Sequence, residues 1–368
     1  MLQVHVVRPH ELSAPDRAAW AAFQRADAAF ASPLLSPEFA EAVAEVRRDA
    51  AVTVLRRRGR AVGFLPHHRR PGGFARPIGA PWSDYHGLVT EGLEVDGIEV
   101  LRQAGLSAYR FNGLIDPCGA FPDLTGRRTP SYFIAPEQAG EAYWETLRAA
   151  SPKRFKNMRR LEHKLAREHG ETSLVAPDRD GNAFRTLLGW KREQLRRNGM
   201  HDILGPAWTQ ALMAALFNRQ EGPLQGLLIT LRVGDRMVAG HFGIRIGDRF
   251  HPWIAAYDPA FEAYSPGMTF LSAAIRAMPR LGLAHYDLSA GSDHYKKSFA
   301  SGCVMVREGT ARTSRVLDLL PPRGPLLQVQ RRLDQIAAAE LSLLGRVQGL
   351  AAAVVGSPRR LAQLHRED

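Results

Sequence analysis

Between Tyr257 and Ala300 the chain reads Y-D-P-A-F-E-A-Y-S-P-G-M-T-F-L, then an apolar helical stretch, then H-Y-D-L-S-A-G-S-D-H-Y-K-K-S-F. No other segment constrains the fold as much. A strand through Phe250–Tyr257 runs into a Ser-Pro-Gly turn that opens a helix. A second strand follows and ends in a polar loop with Tyr295 and Lys296. Serine is a good N-cap, and proline at the first helical position loses no needed donor. The N–H groups from Gly267 to Phe270 are then expected to be free at the positive end of the helix dipole, where a phosphate binds without special side chains. A plain core helix can start the same way, so the turn alone decides nothing. Pro252 adds context, because a residue without an N–H marks an edge or a bulge in the preceding strand. A bulged strand before such a helix exposes backbone N–H groups to a thioester carbonyl. The segment suits a transferase with a phosphate-bearing acyl donor and does not name the acceptor.

The rest of the chain reads as two such α/β units. Its 368 residues give a prior of two domains, at roughly 100–200 residues each. Residues 15–29 and 36–47 read as short helices. A hairpin spans Ala51–Arg70 with its turn at Arg58-Gly59-Arg60, and Pro66–Pro81 reads as a loop leading to the polar cluster W-S-D-Y-H-G-L-V. Tyr109–Leu114 is a further strand, and Leu124–Pro130 a crossing between domains. Helical periodicity then covers 139–149, 151–169, 181–198 and 206–219, followed by a second hairpin with its turn at Gly234-Asp235-Arg236. The hairpins share an apolar run, a basic turn, a valine and a glycine at an offset of 175 to 177 residues, a weak internal duplication. The expected domains are 1–125, an N-terminal unit shaping an acceptor cleft; 126–318, a donor-binding unit; and 319–368, a helical tail. In the tail Leu326, Val329, Leu333, Ile336, Leu343, Val347, Leu350 and Val354 form an apolar stripe, expected to pack on the body, with a homodimer contact second.

A formal charge of +12 points to an anionic partner such as a nucleotide cofactor, a tRNA or an anionic membrane surface, although a merely basic surface has the same sign. Ser151–Arg167 carries the densest charge. Phe155, Met158, Leu161 and Leu165 make its apolar stripe, seven basic residues including Arg159 cover the rest, and only Glu162 opposes them. An ordinary solvated helix mixes signs. Two cysteines support neither a disulfide framework nor a zinc cluster, and no stretch approaches the ~18 apolar residues of a membrane span, so the expected home is the cytoplasm. H-E-x-x-H, C-x-x-C, G-x-x-x-x-G-K-[ST] and G-x-S-x-G are all missing, which removes support for zinc-hydrolase, P-loop and serine-hydrolase readings.

Taken together, S-D-Y-H at 83–86, S-P-K-R-F-K-N-M-R-R-L-E-H-K-L at 151–165, G-D-R-M-V-A-G-H at 234–241, Y-S-P-G-M at 264–268 and Y-D-L-S-A-G-S-D-H-Y-K at 286–296 resemble the GCN5-related acetyltransferase (GNAT) superfamily. The nearer resemblance is to the subfamily named for proteins found with bacterial cellulose-synthesis genes, related to the Fem aminoacyltransferases. It implies an α/β fold of tandem acetyltransferase-like units with mixed central sheets flanked by helices. It also implies acetyl-CoA or another acyl-CoA as co-substrate, no metal, and direct attack by an acceptor amine or hydroxyl, on a small or polysaccharide-related molecule, in a ternary complex. On that reading Asp84 is the base, Tyr295 the proton donor to the leaving group and Lys296 the stabiliser of developing negative charge. Ser265, Gly267, Met268 and Thr269 hold the cofactor, and Tyr85, His86, His241, Asp287 and Arg159 the substrate. The superfamily signature of Arg or Gln, two residues, Gly, one residue, then Gly or Ala meets Tyr264, Gly267 and Thr269 here, so only its first glycine survives. Fem-like relatives with degenerate signatures take aminoacyl-tRNA, which is the alternative donor. A non-catalytic anion-binding scaffold is the third reading. DNA is not an expected partner.

Overall fold

A computed structural model describes residues 2–122, 127–291, 294–314 and 325–355. In chain order the elements are β1 (Leu2–Val7), α1 (Ala14–Ala26), α2 (Pro37–Val46), β2 (Ala50–Arg57), β3 (Arg60–Arg69), β4 (Phe74–Pro77), β5 (Val89–Thr90), α3 (Gly97–Gln103), β6 (Ala108–Leu114) and β7 (Arg128–Ile134). There follow α4 (Glu141–Ala150), α5 (Pro152–His169), β8 (Thr172–Val175), α6 (Gly181–Arg197), α7 (Ala207–Asn218), β9 (Leu224–Val233), β10 (Arg236–Ile246) and β11 (Arg249–Tyr257). The last are α8 (Pro266–Ala277), β12 (His285–Ala290), α9 (His294–Phe299), β13 (Gly302–Arg312), α10 (Pro325–Ala339) and α11 (Leu343–Val355). Two compact units result. Unit 1 comprises 1–131, 205–212 and 304 onward; unit 2 comprises 132–204 and 213–303.

Both units are mixed α/β and follow one strand plan. In unit 1, β1 pairs antiparallel with β2, β2 with β3 and β3 with β4, and β4 then pairs parallel with β6. In unit 2, β8 pairs antiparallel with β9, β9 with β10 and β10 with β11, and β11 then pairs parallel with β12. Two helices separate the first two strands of each set, α1 and α2 in one and α6 and α7 in the other. A single helix makes each parallel crossover, α3 or α8. The hairpin resemblance is therefore the visible part of a duplicated unit.

Local chemistry explains the elements. Ser13 accepts from the Asp16 N–H to start α1, Ser36 from the Phe39 N–H to start α2, and Asp180 from the Asn182 N–H to start α6. The hairpin turn at Arg58 and Gly59 has φ of 51° and 79°, which suits a two-residue connection. In unit 1 the core gathers Leu55, Leu65, Val100, Leu101, Tyr109 and Phe121. In unit 2, α4, α5 and α8 bury Tyr143, Phe155, Phe270 and Ile275 against one sheet face. On the other face Phe242 of β10 meets Phe184 of α6 and Phe217 of α7, at ring separations of 4.8 and 6.2 Å.

Some expectations need correction. Pro66–Pro81 is not a loop throughout: Pro66–Arg69 continue β3, and Phe74–Pro77 form β4, because His67 and His68 are drawn into the interior. In the expected crossing, 124–126 lie outside the described residues and Arg128–Pro130 open β7. The boundary near 318 also lies outside them. The C-terminal stripe is two helices rather than one, broken at 340–342. α10 docks within unit 1 through buried Ile336, Ala338 and Ala339, whereas Val329 and Leu333 are exposed. Polar contacts reinforce that docking: Arg70 donates to the carbonyls of Ala337 and Ala338, and Trp208 Nε1 to that of Ala339. Arg76 and Arg110 grip Asp334, and Arg110 and Arg331 grip the buried Glu308. No helix among the described residues is long and apolar enough to cross a membrane.

Three histidines of unit 1 are almost fully buried. His67 Nδ1 donates to the Leu65 carbonyl at 3.0 Å, His68 Nδ1 lies 3.1 Å from Asp49, and His86 is enclosed beside β6. Burial pushes each down to about 4, helped at His68 by the Arg47 charge. The folded rings are neutral, so the unfolded chain, titrating near the ordinary value of about 6.5, takes up protons first as pH falls. Stability should be full above about pH 6.5 and decline toward pH 4, by up to roughly 1.4 kcal/mol per pH unit for each histidine inside its window. Urea denaturation at pH 7, 6 and 5 measures this, and a flat profile over that range contradicts the assignment of neutral buried rings.

Candidate functional site in the second unit

The second unit opens where β11 leaves β12. Their parallel pairing joins Arg249 to His285 and Phe250 to Tyr286. Just beyond, the β10–β11 register skips a residue: Phe242 pairs with Ile254 and Gly243 with Pro252, which leaves Trp253 as the bulge. The proline supplies no ladder donor, and the glycine makes the bulge fit. A Cβ on Gly243 would lie 2.0 Å from the His251 carbonyl oxygen and 2.5 Å from the Pro252 Cα. A bulge re-aims the strand that carries it.

The α8 start differs from expectation. Ser265 makes no side-chain cap and adopts a left-handed conformation, φ 51° and ψ 56°. Its carbonyl instead accepts from the N–H groups of Met268 (3.0 Å) and Thr269 (3.2 Å). Fewer donors are therefore free than the sequence suggested, and the Gly267 N–H is the one without a partner among the described residues. Ser289, at the end of β12, is also left-handed, with φ 61°. Among the described residues only these two serines and Arg58 in its hairpin turn combine a side chain with positive φ. Such residues cost of order 1–3 kcal/mol and cluster at functional sites.

The equivalent crossover helix of unit 1 is closed. Asp96 caps α3, accepting from the N–H groups of Ile98 and Glu99, and the Gly97 N–H donates to the Ala120 carbonyl. Its carboxylate would repel a phosphate. Nothing in the sequence comparison of the two hairpins revealed this difference, although an Asp before one crossover helix and a Ser before the other was the signal.

From α8 an accessible strip leads along one face of unit 2. The Tyr257 ring borders Gly267, and Ala255 and His241, paired across β10 and β11, continue the strip. On β10 the side chains from Met237 to Ile244 are buried except that of His241. Its ring lies 4.2 Å from that of Phe270, and its Nδ1 is 2.7 Å from the hydroxyl of Tyr286. Burial, with the Lys191 charge adding, pushes His241 down to about 3. Tyr286 is fully buried, which raises its hydroxyl well above the usual range, with Tyr295 adding to the effect. On the opposite face Asp287 is buried beside His251 (3.5 Å) and His285 (3.8 Å), and it accepts the Ser289 N–H at 2.6 Å.

Other expected residues fall as follows. Lys296 donates to the Ala290 carbonyl at 3.0 Å and so ties α9 to the end of β12, while Tyr295 is 41% exposed. Met268 is half-buried and Thr269 buried. Arg159 is exposed on α5, where Phe155, Met158 and Leu165 are buried as their spacing predicted. Ser151 makes no side-chain cap there. Glu162 is drawn off by Arg276 (3.0 Å), and no carboxylate among the described residues pairs with Lys153, Arg154, Lys156 or Arg159. Asp84, Tyr85 and His86 belong to unit 1. Tyr85 shares a 2.7 Å hydrogen bond with Ser131, and a Cβ on Gly113 would lie 1.9 Å from the Asp84 carbonyl oxygen. Both His86 nitrogens serve the backbone: Nε2 accepts from Asn112 and Gly113, and Nδ1 faces the Ser83 carbonyl at 3.1 Å. His86 thus fixes the loop that carries Asp84. Tyr286, His251 and Gly243 were missed because their importance lies in partners across strands rather than in local spacing.

Residues 152–297 match the acetyltransferase (GNAT) domain, a span that contains the strip, the bulge and both crossover strands. The crystal structure of FemX is similar over 83% of this chain and 96% of its own, with a TM-score of 0.52 and 11% identity. A conserved protein of unknown function from Bacteroides thetaiotaomicron is similar over 85% and 99%, with a TM-score of 0.50 and 13% identity. At these identities the likeness shows a shared fold alone, one that includes the Fem-type fold of FemX. No curated protein matches the sequence.

Two glycine substitutions separate the roles of bulge and helix start. Gly243→Ala should destabilise the protein by about 1–3 kcal/mol, because the new methyl has only backbone to displace. Gly267→Ala, whose Cβ would meet nothing nearer than Tyr257 at 3.9 Å, should leave stability unchanged or slightly higher. Thermal unfolding of both variants measures this, and equal losses would refute the reading.

Proposed function

We propose that this chain is an acyltransferase that moves an acyl group from acyl-CoA, acetyl-CoA first, to an amine or hydroxyl of a small or polysaccharide-related acceptor. The observation that carries the proposal is the contrast between two crossover helices on one strand plan. The one inside the acetyltransferase match keeps an open start without an acidic cap. Its twin is filled by Asp96.

On this reading the Gly267 N–H and the α8 dipole receive a donor phosphate, with Ser265, Met268 and Thr269 around it. The acyl arm follows Tyr257 and Ala255 toward His241. The acceptor nucleophile attacks the thioester carbonyl, the carbon–sulfur bond breaks, and the thiolate takes a proton. Within the second unit, Tyr295 as proton donor to the leaving thiolate and Lys296 as a charge near the carbonyl are the roles we assign, with Arg159 toward the acceptor. The subfamily associated with cellulose synthesis and a cytoplasmic location are the finer parts of this reading.

The basic face of α5 favours a second reading, a Fem-like transfer from aminoacyl-tRNA. Four cations without a carboxylate partner are an electrostatic footprint suited to a phosphate backbone, and Tyr264 occupies the signature position usually held by Arg or Gln.

A thermal-shift titration with acetyl-CoA, CoA and charged tRNA separates the two. A ligand at 100 times its dissociation constant adds about 2.7 kcal/mol, enough to raise the midpoint by several degrees. Acetyl-CoA should shift the wild type, while folded Gly267→Glu should lose the shift; retention by that variant removes the assigned donor site. A shift with charged tRNA alone, lost in Arg159→Glu/Arg160→Glu, moves the assignment to the Fem-like donor.

A further inference from the structure

The hydroxyl of Tyr286 must donate its proton, because a buried donor left unpaired costs about 1–3 kcal/mol. Tyr286 is 0% exposed, and among the described residues its hydroxyl is hydrogen-bonded to His241 Nδ1 at 2.7 Å. That nitrogen therefore presents its lone pair. The ring stays neutral at ordinary pH, since burial and the Lys191 charge depress its protonation to about 3. A neutral imidazole that accepts at Nδ1 carries its one proton on Nε2. The opposite tautomer would set two protons against each other or strand the tyrosine's, and is disfavoured accordingly.

His241 is therefore poor as a base and poor as a cation. It is a fixed, neutral N–H donor in the middle of a sheet. The Phe270 ring, 4.2 Å away, and the buried ring of Tyr286 hold it in place from two elements. It is also the half-buried side chain amid fully buried neighbours on β10, two residues along β11's pairing from Tyr257, or about 7 Å at the usual strand rise. The charged and titratable groups acting on it are Lys191 of α6 and Tyr286 of β12, with Tyr295 of α9 acting on Tyr286.

We propose that His241 Nε2–H is the hydrogen-bond donor that receives the acyl carbonyl oxygen of the thioester, with Tyr286 as the positioning residue that fixes its tautomer. This rests on the acyl-CoA reading above. A neutral donor suits a carbonyl whose oxygen gains negative charge during attack, because it strengthens with that charge and needs no proton exchange. It also gives the site a preference for acyl-CoA over free CoA, which lacks the carbonyl.

Nitrogen NMR of histidine-labelled wild-type protein reads which ring nitrogen holds the proton, and isothermal titration with acetyl-CoA and with CoA reads the carbonyl contact. We expect His241 to show a neutral ring protonated on Nε2, and Tyr286→Phe to lose that single tautomer. His241→Phe should weaken acetyl-CoA about three- to tenfold, the size of one neutral hydrogen bond, and leave CoA unchanged. His241→Gln, which restores an N–H donor, should recover most of the loss. A proton on Nδ1 in the wild type overturns the fixed donor. An equal change for acetyl-CoA and CoA, or no change in His241→Phe, overturns the carbonyl contact. If neither CoA species binds wild-type protein, the acyl-CoA reading falls and the carbonyl assignment with it, while the NMR result still stands as the test of the tautomer.

Discussion

The second unit depends on how closely β10 and β11 approach at Gly243. The His251 carbonyl and Pro252 occupy the space a side chain would need, so the strand behind them takes an extra residue at Trp253 and turns. Past that point β11 and β12 are no longer held by the pairing that joins Phe250 to Tyr286. Parallel strands that separate leave backbone groups and side chains that the sheet would otherwise consume. Here the separation lies next to the start of the crossover helix. His241, Tyr286 and the Gly267 N–H lie on the elements that border this local misfit.

Much of the fold was legible in the sequence. Both hairpins announced themselves through apolar runs flanking Arg58-Gly59 and Gly234-Asp235, and the amphipathic stripe of α5 placed Phe155, Met158 and Leu165 inward. Pro252 signalled a bulge for a sound reason, its missing donor. Local rules failed where a tertiary partner outranked them. Ser265 has the sequence of a side-chain cap, yet the backbone turns left-handed there and its carbonyl does the capping. Pro66–Arg69 look like loop because of the proline and two histidines, but the strand continues once Asp49 and the Gly79 N–H give His68 partners. The tautomer of His241 was not legible at all, because it is set by a tyrosine 45 residues away in sequence.

The duplicated strand plan shows how one architecture serves two ends. A crossover helix can be sealed by a carboxylate at its first turn or left open for an anion, and the two states differ by a few atoms at one position. Asp96 seals α3, and the Gly97 N–H is taken by Ala120. Among the described residues nothing comparable fills the start of α8. The sealed copy keeps the packing of the plan and spends its helix-start donors on protein partners. Its own loop chemistry is spent elsewhere, with His86 using both nitrogens to hold the backbone around Asp84.

The docking of α10 has a consequence for how the chain can be divided. Arg76 and Arg110 project from strands of the first unit, and Glu308 from β13, yet their partners Asp334 and Arg331 arrive from a helix near the far end of the sequence. Arg70 and Trp208 hold the final carbonyls of that helix. The first unit is therefore not formed by residues 1–131 alone. A fragment ending after β6 would carry a receptacle of arginines without its occupant, so the first unit is inherited together with α10, and recombination that swaps the front strands alone would separate a lock from its key.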